Sequence, residues 1–387
     1  MTVVEAPPVT DFAALRREQF PVAERYVYLN HAALGPLPRR TADVVTELAA
    51  DFRDRGVLAE SKWMPAVKRT RQLVGRLVNA AADDIAFTKN TSQGLNIVAA
   101  SLPWKTGDVI VTIRGEFPAN VYPWLALQQA GVQIRFVQPR QGRIVLSDLA
   151  HALHGATMLA ISWVQYSSGF KIDLAAVSEL CRRRNVLLCL DAIQGAGALP
   201  LDLQATPVDF CAFGGHKWML SPQGIGVLYI NPCVRDRLRP FNTGWLGVAW
   251  HDYAAFDYDT PLVDGAARYE EGTRSLVGIA GLEQSLRLLL DAEPARIAER
   301  LEDLTDHLAQ GLLQRGCQML TPRLPGERSG ILTVCHPQRS AHELWERLRA
   351  ARIVAAVREG GVRLSPHLYN TFDEMDAVID ALEGSHT

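Results

Sequence analysis

Short apolar segments alternate with amphipathic stretches through the middle of the chain. Seven such segments lie at 84–88, 108–113, 132–137, 157–162, 185–191, 209–214 and 225–230. The stretches between them, such as Leu174 to Arg184, carry apolar residues at helical spacing. Strands that are apolar on both faces and separated by helices are typical of a parallel sheet covered on both sides. We therefore predict an α/β fold with a mainly parallel seven-stranded sheet between helices.

After Gly272 the hydrophobic pattern changes. Helices are predicted at 276–291, 294–315, 341–351 and 371–383, and strands at 330–335, 353–357 and 361–365. A chain of 387 residues is long enough for two domains. The pattern predicts an N-terminal segment (1–60) that packs on the small domain, a large domain (61–272) and a smaller α+β domain (273–387). In such folds the active site lies at the carboxyl ends of the parallel strands, often at the domain cleft.

Composition narrows the range of partners. The chain is 48% hydrophobic and 21% charged, with a net charge of −2, which is typical of a soluble globular protein and gives no support for nucleic-acid or anionic-membrane binding. Residues 1–20 have no signal-peptide pattern, and no apolar stretch is long enough to span a membrane, so a cytoplasmic location is expected. The six cysteines have no metal-ligand spacing, so no metal site is predicted and most of them are interpreted as core residues.

Lys217 is the strongest candidate for catalytic chemistry among only six lysines. It follows a predicted strand inside GGHKWMLSPQGIG, where small residues allow the backbone to approach a ligand closely. Burial and the neighbouring His216 would lower the pKa of its amine, which favours attack on a carbonyl group. Taken alone, this pattern favours a surface lysine in a glycine-rich loop over a catalytic one, and Lys89 at another strand end is a competing candidate.

Three other strand ends carry residues suited to a charged aromatic cofactor. Asp191 ends a strand and can keep a pyridinium nitrogen protonated, while Gln194 can donate to a ring hydroxyl. Thr91 and Ser92 begin a predicted helix, whose N-terminus attracts a phosphate. Phe117 follows a third strand and can lie flat on a ring. Each also has an ordinary structural interpretation: a strand-end cap, a helix N-cap and a core phenylalanine.

The order of these motifs resembles that of the class V aminotransferase superfamily of fold-type-I pyridoxal-phosphate enzymes. The resemblance extends from YLNHAALGP (28–36) to SPHLYNT (365–371), and its most specific part is DAIQ followed by GGHKWMLSPQGIGVLY. This superfamily includes cysteine desulfurases, cysteine-conjugate C–S lyases, isopenicillin-epimerase-like enzymes and kynureninases. The resemblance implies pyridoxal 5′-phosphate as cofactor and a small amino acid as substrate.

The resemblance also implies roles for the motif residues. Lys217 is the Schiff-base lysine and carries the proton at Cα, and the implied cofactor ligands are Thr91, Ser92, Phe117, Asp191, Gln194 and His216. Relatives often have histidine where this chain has Phe117. The serine usually found two residues before the His-Lys pair is Gly214 here, which puts one phosphate contact in doubt.

Residues outside this core are assigned by resemblance alone. Thr273 in EEGTRS (270–275) would reach the phosphate of a neighbouring subunit, which implies a homodimer with shared active sites. Arg363 in GVRLSPHLYNT would bind the substrate carboxylate in bidentate fashion, unless it is a strand arginine that faces solvent. Asn30 and His31 lie where relatives place residues close to the substrate. Apart from the resemblance, Tyr166, Arg274 and Trp245 are candidates for the face of the substrate opposite Lys217. His31 has the alternative role of a local cap.

The segment before Arg363 departs from the cysteine desulfurases, which carry a nucleophilic cysteine on a mobile loop there. Residues 352–363 are RIVAAVREGGVR, without cysteine, so nothing accepts sulfur as a persulfide. We therefore expect a C–S lyase that eliminates the sulfur group of a cysteine S-conjugate. An epimerase, aminotransferase or decarboxylating enzyme on the same scaffold is the alternative, and a catalytically inactive subunit is disfavoured by the intact Asp191, Gln194 and Lys217.

Overall fold

The computed structural model describes residues 11–249 and 257–383. Its strands are β1 (Val27–Tyr28), β2 (Ile85–Thr88), β3 (Val109–Ile113), β4 (Gln133–Val137), β5 (Met158–Ser162), β6 (Leu187–Asp191), β7 (Phe210–Gly214), β8 (Gly226–Ile230), β9 (Gln318–Met319), β10 (Leu332–Cys335), β11 (Ile353–Val354), β12 (Ala356–Arg358) and β13 (Gly361–Leu364). Its α-helices are α1 (Phe12–Gln19), α2 (Arg39–Arg55), α3 (Glu60–Trp63), α4 (Pro65–Val78), α5 (Thr91–Ser101), α6 (Tyr122–Ala126), α7 (Leu146–Ala152), α8 (Leu174–Arg184), α9 (Pro232–Arg235), α10 (Leu276–Asp291), α11 (Pro294–Gln314), α12 (Ala341–Ala350) and α13 (Phe372–Glu383). No helix within these ranges is both long and apolar enough to cross a membrane.

The central sheet has seven strands in the order β2-β8-β7-β6-β5-β3-β4. It is mainly parallel, as predicted, and only β8 runs antiparallel to its neighbours. Six of the seven strands have no exposed residue, and β4 at the edge has one. The return from β7 to β8 (215–225) contains no crossover helix, so the two strands can pair only in antiparallel fashion. Lys217 lies in this return.

The C-terminal part forms a second sheet of four antiparallel strands, in the order β12-β13-β10-β9. The prediction of one strand over 353–357 was wrong, because the chain changes sheets at Ala355. Ile353 and Val354 pair with Val27 and Tyr28 of the N-terminal segment, whereas β12 pairs with β13. The continuous apolar run gave no sign of this change, since no residue of either short strand is exposed.

Helices on one side of the central sheet pack on each other as well as on the sheet. Helix α10 packs against α2 and α4, so a helix that follows residue 272 contacts helices from both earlier segments of the chain. Helix α11 packs against α13 and forms part of the core of the four-stranded sheet. The domain boundaries at residues 60 and 272 stay a prediction, and residues 1–10 of the N-terminal segment lie outside the described ranges.

Candidate active site

The predicted residues converge at the carboxyl ends of the parallel strands. Asp191 ends β6, Lys217 follows β7 and Phe117 follows β3. A cavity of about 340 Å³ opens between them, within the size range of small-molecule sites of about 300–1,000 Å³. Of the residues predicted from the sequence, it is lined by Thr91, Ser92, Phe117, Tyr166, Asp191, Gln194, His216, Lys217 and Arg363.

Lys217 is almost entirely buried, with 9% of its surface exposed. The pKa of its amine is lowered to about 8, mainly by burial and also by the positive charges of Arg363 and Arg358, while the negative charge of Asp191 opposes this shift. Its Nζ lies 5.6 Å from the centroid of the Phe117 ring. A neutral amine is therefore accessible near neutral pH, which suits a nucleophile or base.

Asp191 lines the same cavity as Lys217, with only 2% of its surface exposed. Its pKa is raised to about 7, mainly by burial and also by the nearby Glu116, while a 3.0 Å hydrogen bond from the Ile193 amide and the charge of Lys217 oppose this shift. A cationic ring nitrogen placed beside this carboxyl would stabilise its ionised form.

Glu116 is a buried carboxyl that the sequence did not reveal. It accepts hydrogen bonds from the amide of Ser162 (2.8 Å), from its hydroxyl (2.5 Å) and from Nε2 of Gln165 (3.0 Å). Burial raises its pKa despite these donors. Ser162 is the register partner of Asp191 in the adjacent strand, so Glu116 fixes the strand end beside the aspartate. The only sequence signal was its position next to Phe117.

Gln194 is oriented by a network of hydrogen bonds that could not be predicted from the sequence. Its Nε2 donates to the carbonyl of Ala32 (3.0 Å), and its Oε1 accepts from Nε1 of Trp218 (2.8 Å). The carbonyl of Trp218 accepts from Nε2 of buried His367 (2.9 Å), whose pKa burial lowers to about 4. The second N–H of Gln194 remains available to a ligand.

Thr91 and Ser92 lie at the N-terminus of α5. The N-cap of this helix is Asn90, whose side chain accepts from the amide of Gln93 (2.9 Å). Thr91 is therefore not needed as a cap, and its buried Oγ1 has no hydrogen-bond partner. A helix N-terminus with an unused hydroxyl is an anion site.

His216 lies beside this anion site. Burial lowers its pKa, and the adjacent Lys217 lowers it further. A Cβ atom at Gly214 would lie 3.1 Å from Nδ1 and Cε1 of the His216 ring. The glycine therefore gives the histidine space that a serine would occupy.

Arg363 is 1% exposed, so the interpretation as a solvent-facing strand arginine is wrong. Its Nη1 donates to the carbonyl of Tyr166 (2.6 Å), while Nε and Nη2 are buried without a partner. Burial lowers its pKa to about 10, and the charge of Arg358 adds to this effect. The open Nε–Nη2 edge has the geometry that receives one carboxylate with two hydrogen bonds.

Five predicted residues, Trp245 among them, do not line this cavity. The ring of buried His31 contacts the carbonyl of Ser365 (2.8 Å) and the hydroxyl of Tyr369 (3.0 Å), so both ring nitrogens are used. Asn30 pairs with Ser365 through a backbone bridge. Thr273 and Arg274 line a separate cavity near Lys89, and Arg274 is ion-paired with Glu270. Within one chain, the structure does not bring these side chains to Lys217.

The segment before Arg363 is a tight hairpin. Glu359 and Gly360 connect β12 to β13 with φ angles of 45° and 81°, as a two-residue turn requires. The hydroxyl of Tyr166 donates to Oε1 of Glu359 (3.0 Å) and joins the hairpin to the loop after β5. All six cysteines lie in the described ranges, and none lines the cavity.

Comparison with known proteins covers nearly the whole chain. The family model for Aminotransferase class-V matches residues 27–378. A probable cysteine desulfurase of Pyrococcus abyssi is 27% identical, with 95% of this chain and 96% of the relative aligned. The solved cysteine desulfurase of Thermococcus onnurineus is 25% identical, with a TM-score of 0.87 and 98% of both chains covered. The cystine C–S lyase C-DES, solved with its product cysteine persulfide, has a TM-score of 0.87 at 24% identity, over 94% of this chain and 99% of the other.

Proposed function

The chain belongs to the class-V aminotransferase family, and from that premise we propose that it is a pyridoxal-phosphate enzyme that cleaves a C–S bond. Its proposed substrate is a cysteine S-conjugate, and its reaction is β-elimination. The observation that supports this most directly is a cavity with a desolvated lysine and no thiol.

The residues of the cavity fit pyridoxal phosphate. Thr91, Ser92 and His216 would hold the phosphate, because Thr91 offers a buried hydroxyl that has no partner in the protein. Asp191 would face the ring nitrogen, and Gln194 the ring hydroxyl. Phe117 keeps 44% of its surface exposed, which leaves its ring free to stack. When bound, the cofactor draws electrons away from the substrate Cα.

The protein would supply binding and proton transfer. Arg363 would hold the α-carboxylate and thereby fix the direction of the Cα–H bond. Lys217 would take the Cα proton, and the electron pair of the C–H bond would form a Cα–Cβ double bond. Sulfur would leave with the electron pair of the C–S bond and take up a proton to give the thiol. Addition of water then completes the balance: one conjugate and one water give a thiol, pyruvate and ammonia.

The fold does not distinguish elimination from persulfide-type desulfuration, because a cysteine desulfurase and a cystine C–S lyase both have this fold. A persulfide route needs a thiolate within reach of the substrate. Cys181, Cys189, Cys211 and Cys317 are buried, and burial raises the pKa of each thiol. These thiols are poor nucleophiles, and the hairpin that precedes Arg363 provides no other.

Product analysis tests the reaction type. With S-conjugates of L-cysteine, we expect pyruvate and ammonia in equal amounts, whereas desulfuration of L-cysteine leaves alanine. Solvent deuterium at Cα of recovered substrate, without pyruvate, would indicate an epimerase instead. Alanine as the product, or deuterium exchange without pyruvate, would contradict the proposed lyase.

Removal of the two accessible thiols provides a second test. Cys233 is exposed and Cys335 partly exposed. We expect the double variant Cys233→Ser/Cys335→Ser to keep at least about half of the wild-type pyruvate release, because substitutions remote from a site usually have small effects. Loss of more than about tenfold, with the fold intact by circular dichroism, would contradict elimination without a cysteine nucleophile.

The pH dependence of cofactor capture tests the environment of Lys217. Its pKa is lowered to about 8, so the neutral amine forms as pH rises through that value. The rate of pyridoxal-phosphate uptake by the apoprotein, followed by absorbance, should rise from pH 6 and level above about pH 9, whereas an ordinary lysine needs about pH 10.4. N-acetyl-lysine amide is the control for titration of the cofactor itself.

The variant Asp191→Asn should shift the pH dependence of cofactor uptake in a predictable direction. Asp191 raises the pKa of Lys217 through its negative charge. Removal of that charge should therefore shift the midpoint of cofactor uptake to lower pH. A midpoint near pH 10 in the wild type, or an upward shift in the variant, would mean that Lys217 is not the desolvated amine described above.

We also propose that two chains associate. Thr273 lies outside the cavity of its own chain, which is consistent with a contribution to the cavity of a second copy. Sedimentation of the holoenzyme should give twice the monomer mass.

A further inference from the structure

The hairpin of β12 and β13 carries two arginines on one face. Arg363 lies opposite Ala356 in the antiparallel register, so their side chains share a face. Arg358 is two residues beyond Ala356 on the same strand and lies on that face as well. Arg358 and Arg363 are thus diagonal neighbours, about 7–8 Å apart at Cα. Both line the cavity that contains Lys217.

The two arginines are not equivalent. Arg363 has one open edge, and a single carboxylate satisfies it completely. Arg358 uses one nitrogen, Nη1, in a 2.7 Å hydrogen bond to the adjacent carbonyl of Val357. In the described part of the chain, no carboxylate lies within 4.0 Å of the Arg358 guanidinium in an ion pair. The neighbouring Glu359 is engaged by the hydroxyl of Tyr166.

The charge of Arg358 reaches the reacting groups. It adds to the lowering of the pKa of Lys217 and of Arg363 by burial, and it opposes the rise that burial causes in the pKa of Tyr166. In the proposed function, the anion site formed by α5 and His216 would bind the cofactor phosphate, and the open edge of Arg363 would bind the α-carboxylate. Arg358 therefore remains in the cavity lining as a cation that has no ion-pair partner in the described part of the chain.

We propose that Arg358 binds a second anionic group, carried at the distal end of the substrate side chain. This inference rests on the proposed function and narrows it: the substrate class is a cysteine S-conjugate that ends in a carboxylate or another oxyanion. Charge-assisted hydrogen bonds to a guanidinium are stronger than those between neutral groups, so an anionic end is selected over an amide of the same shape.

A pair of isosteres tests the proposal on the holoenzyme. S-carboxymethyl-L-cysteine and S-carbamoylmethyl-L-cysteine differ only in a distal carboxylate or amide. We expect kcat/KM for pyruvate release to favour the carboxylate by about tenfold or more in the wild type. Arg358→Gln should abolish this ratio and Arg358→Lys should keep part of it, while Arg349→Gln, an exposed control on α12, should leave the ratio as it is.

The ratio separates this proposal from a shared role at the α-carboxylate. If Arg358 only assisted Arg363, Arg358→Gln would weaken both isosteres by the same factor, the ratio would persist, and the proposal would be overturned. A wild-type ratio near one would overturn it as well.

A binding measurement keeps the test independent of C–S cleavage. L-2-aminoadipate places a methylene where S-carboxymethyl-L-cysteine has sulfur, so nothing can be eliminated. Calorimetry should show that it binds at least about tenfold more tightly than its δ-amide, and that Arg358→Gln removes the difference. If this holds while no conjugate yields pyruvate, the anion subsite stands and the lyase proposal fails. Equal binding of acid and amide refutes the subsite whatever the reaction.

Discussion

Replacement of Lys217 by alanine should lower pyruvate release from a cysteine S-conjugate by about 10³-fold or more, since a positioned base contributes about 10²–10⁴-fold. Lys217 is 9% exposed and its amine has a pKa of about 8, so in the wild type the amine is both sheltered and able to take a proton. Alanine leaves no base at this position. Pyruvate is measured by a coupled dehydrogenase assay, and bound cofactor by absorbance, so that loss of chemistry is separated from loss of cofactor.

A matched lysine at another strand end provides the control. Lys89 is paired with Glu271 at 2.9 Å, and 73% of its side chain is exposed. Lys89→Ala should therefore remain within about threefold of the wild type, as expected for an exposed ion pair. Added methylamine should restore part of the activity of Lys217→Ala and leave Lys89→Ala unaffected. If Lys217→Ala kept more than about a tenth of the wild-type rate, another residue would have to be the base.

The sheet and the ends of its strands could be predicted because their signals are local. Each apolar run between 84 and 230 became a strand within two residues of its predicted limits. The carboxyl ends of parallel strands share one edge of a sheet. Lys217, Asp191 and Phe117 therefore had to lie near each other once each was placed at a strand end.

The rest of the site depends on contacts between distant parts of the chain. Glu116 is positioned by Ser162 and Gln165, 46 and 49 residues away in sequence. Trp218 is held by His367, 149 residues away. Neither pairing leaves a spacing or composition signal in a single sequence, because each depends on the order of the strands and on burial.

The register of the C-terminal strands explains why the sequence did not predict the position of Arg358. The apolar stretch of 353–357 has no internal sign that the chain changes sheets at Ala355, yet this change decides which residues of β12 face the cavity. It places Arg358 on the same face as Arg363. A one-residue shift would turn Arg358 to the opposite face. For this reason the sequence located Arg363 through a motif and gave no signal for Arg358.

Substitution of Arg363 by lysine should lower kcat/KM by about 10²–10³-fold, because removal of one partner of a buried hydrogen-bonded charge pair costs about 2–5 kcal/mol. Lysine keeps the charge, but it lacks the two parallel donors of the Nε–Nη2 edge. It also leaves the Tyr166 carbonyl without the donor that now lies 2.6 Å away. We expect a higher KM and a lower kcat together, since a carboxylate held by a single donor fixes the Cα–H bond less well.

Two controls show whether this loss arises from the carboxylate. Arg300 is a partly buried arginine outside the cavity that also donates to a backbone carbonyl, that of Asn370 at 2.8 Å. Arg300→Lys should therefore reproduce the structural strain of the substitution without the loss of kcat/KM. In addition, an S-conjugate of cysteamine lacks the α-carboxylate, so it should be a poor substrate for the wild type and equally poor for Arg363→Lys. If the variant lost as much activity on the cysteamine conjugate as on the amino acid, Arg363 would act on the fold or the cofactor rather than on the carboxylate.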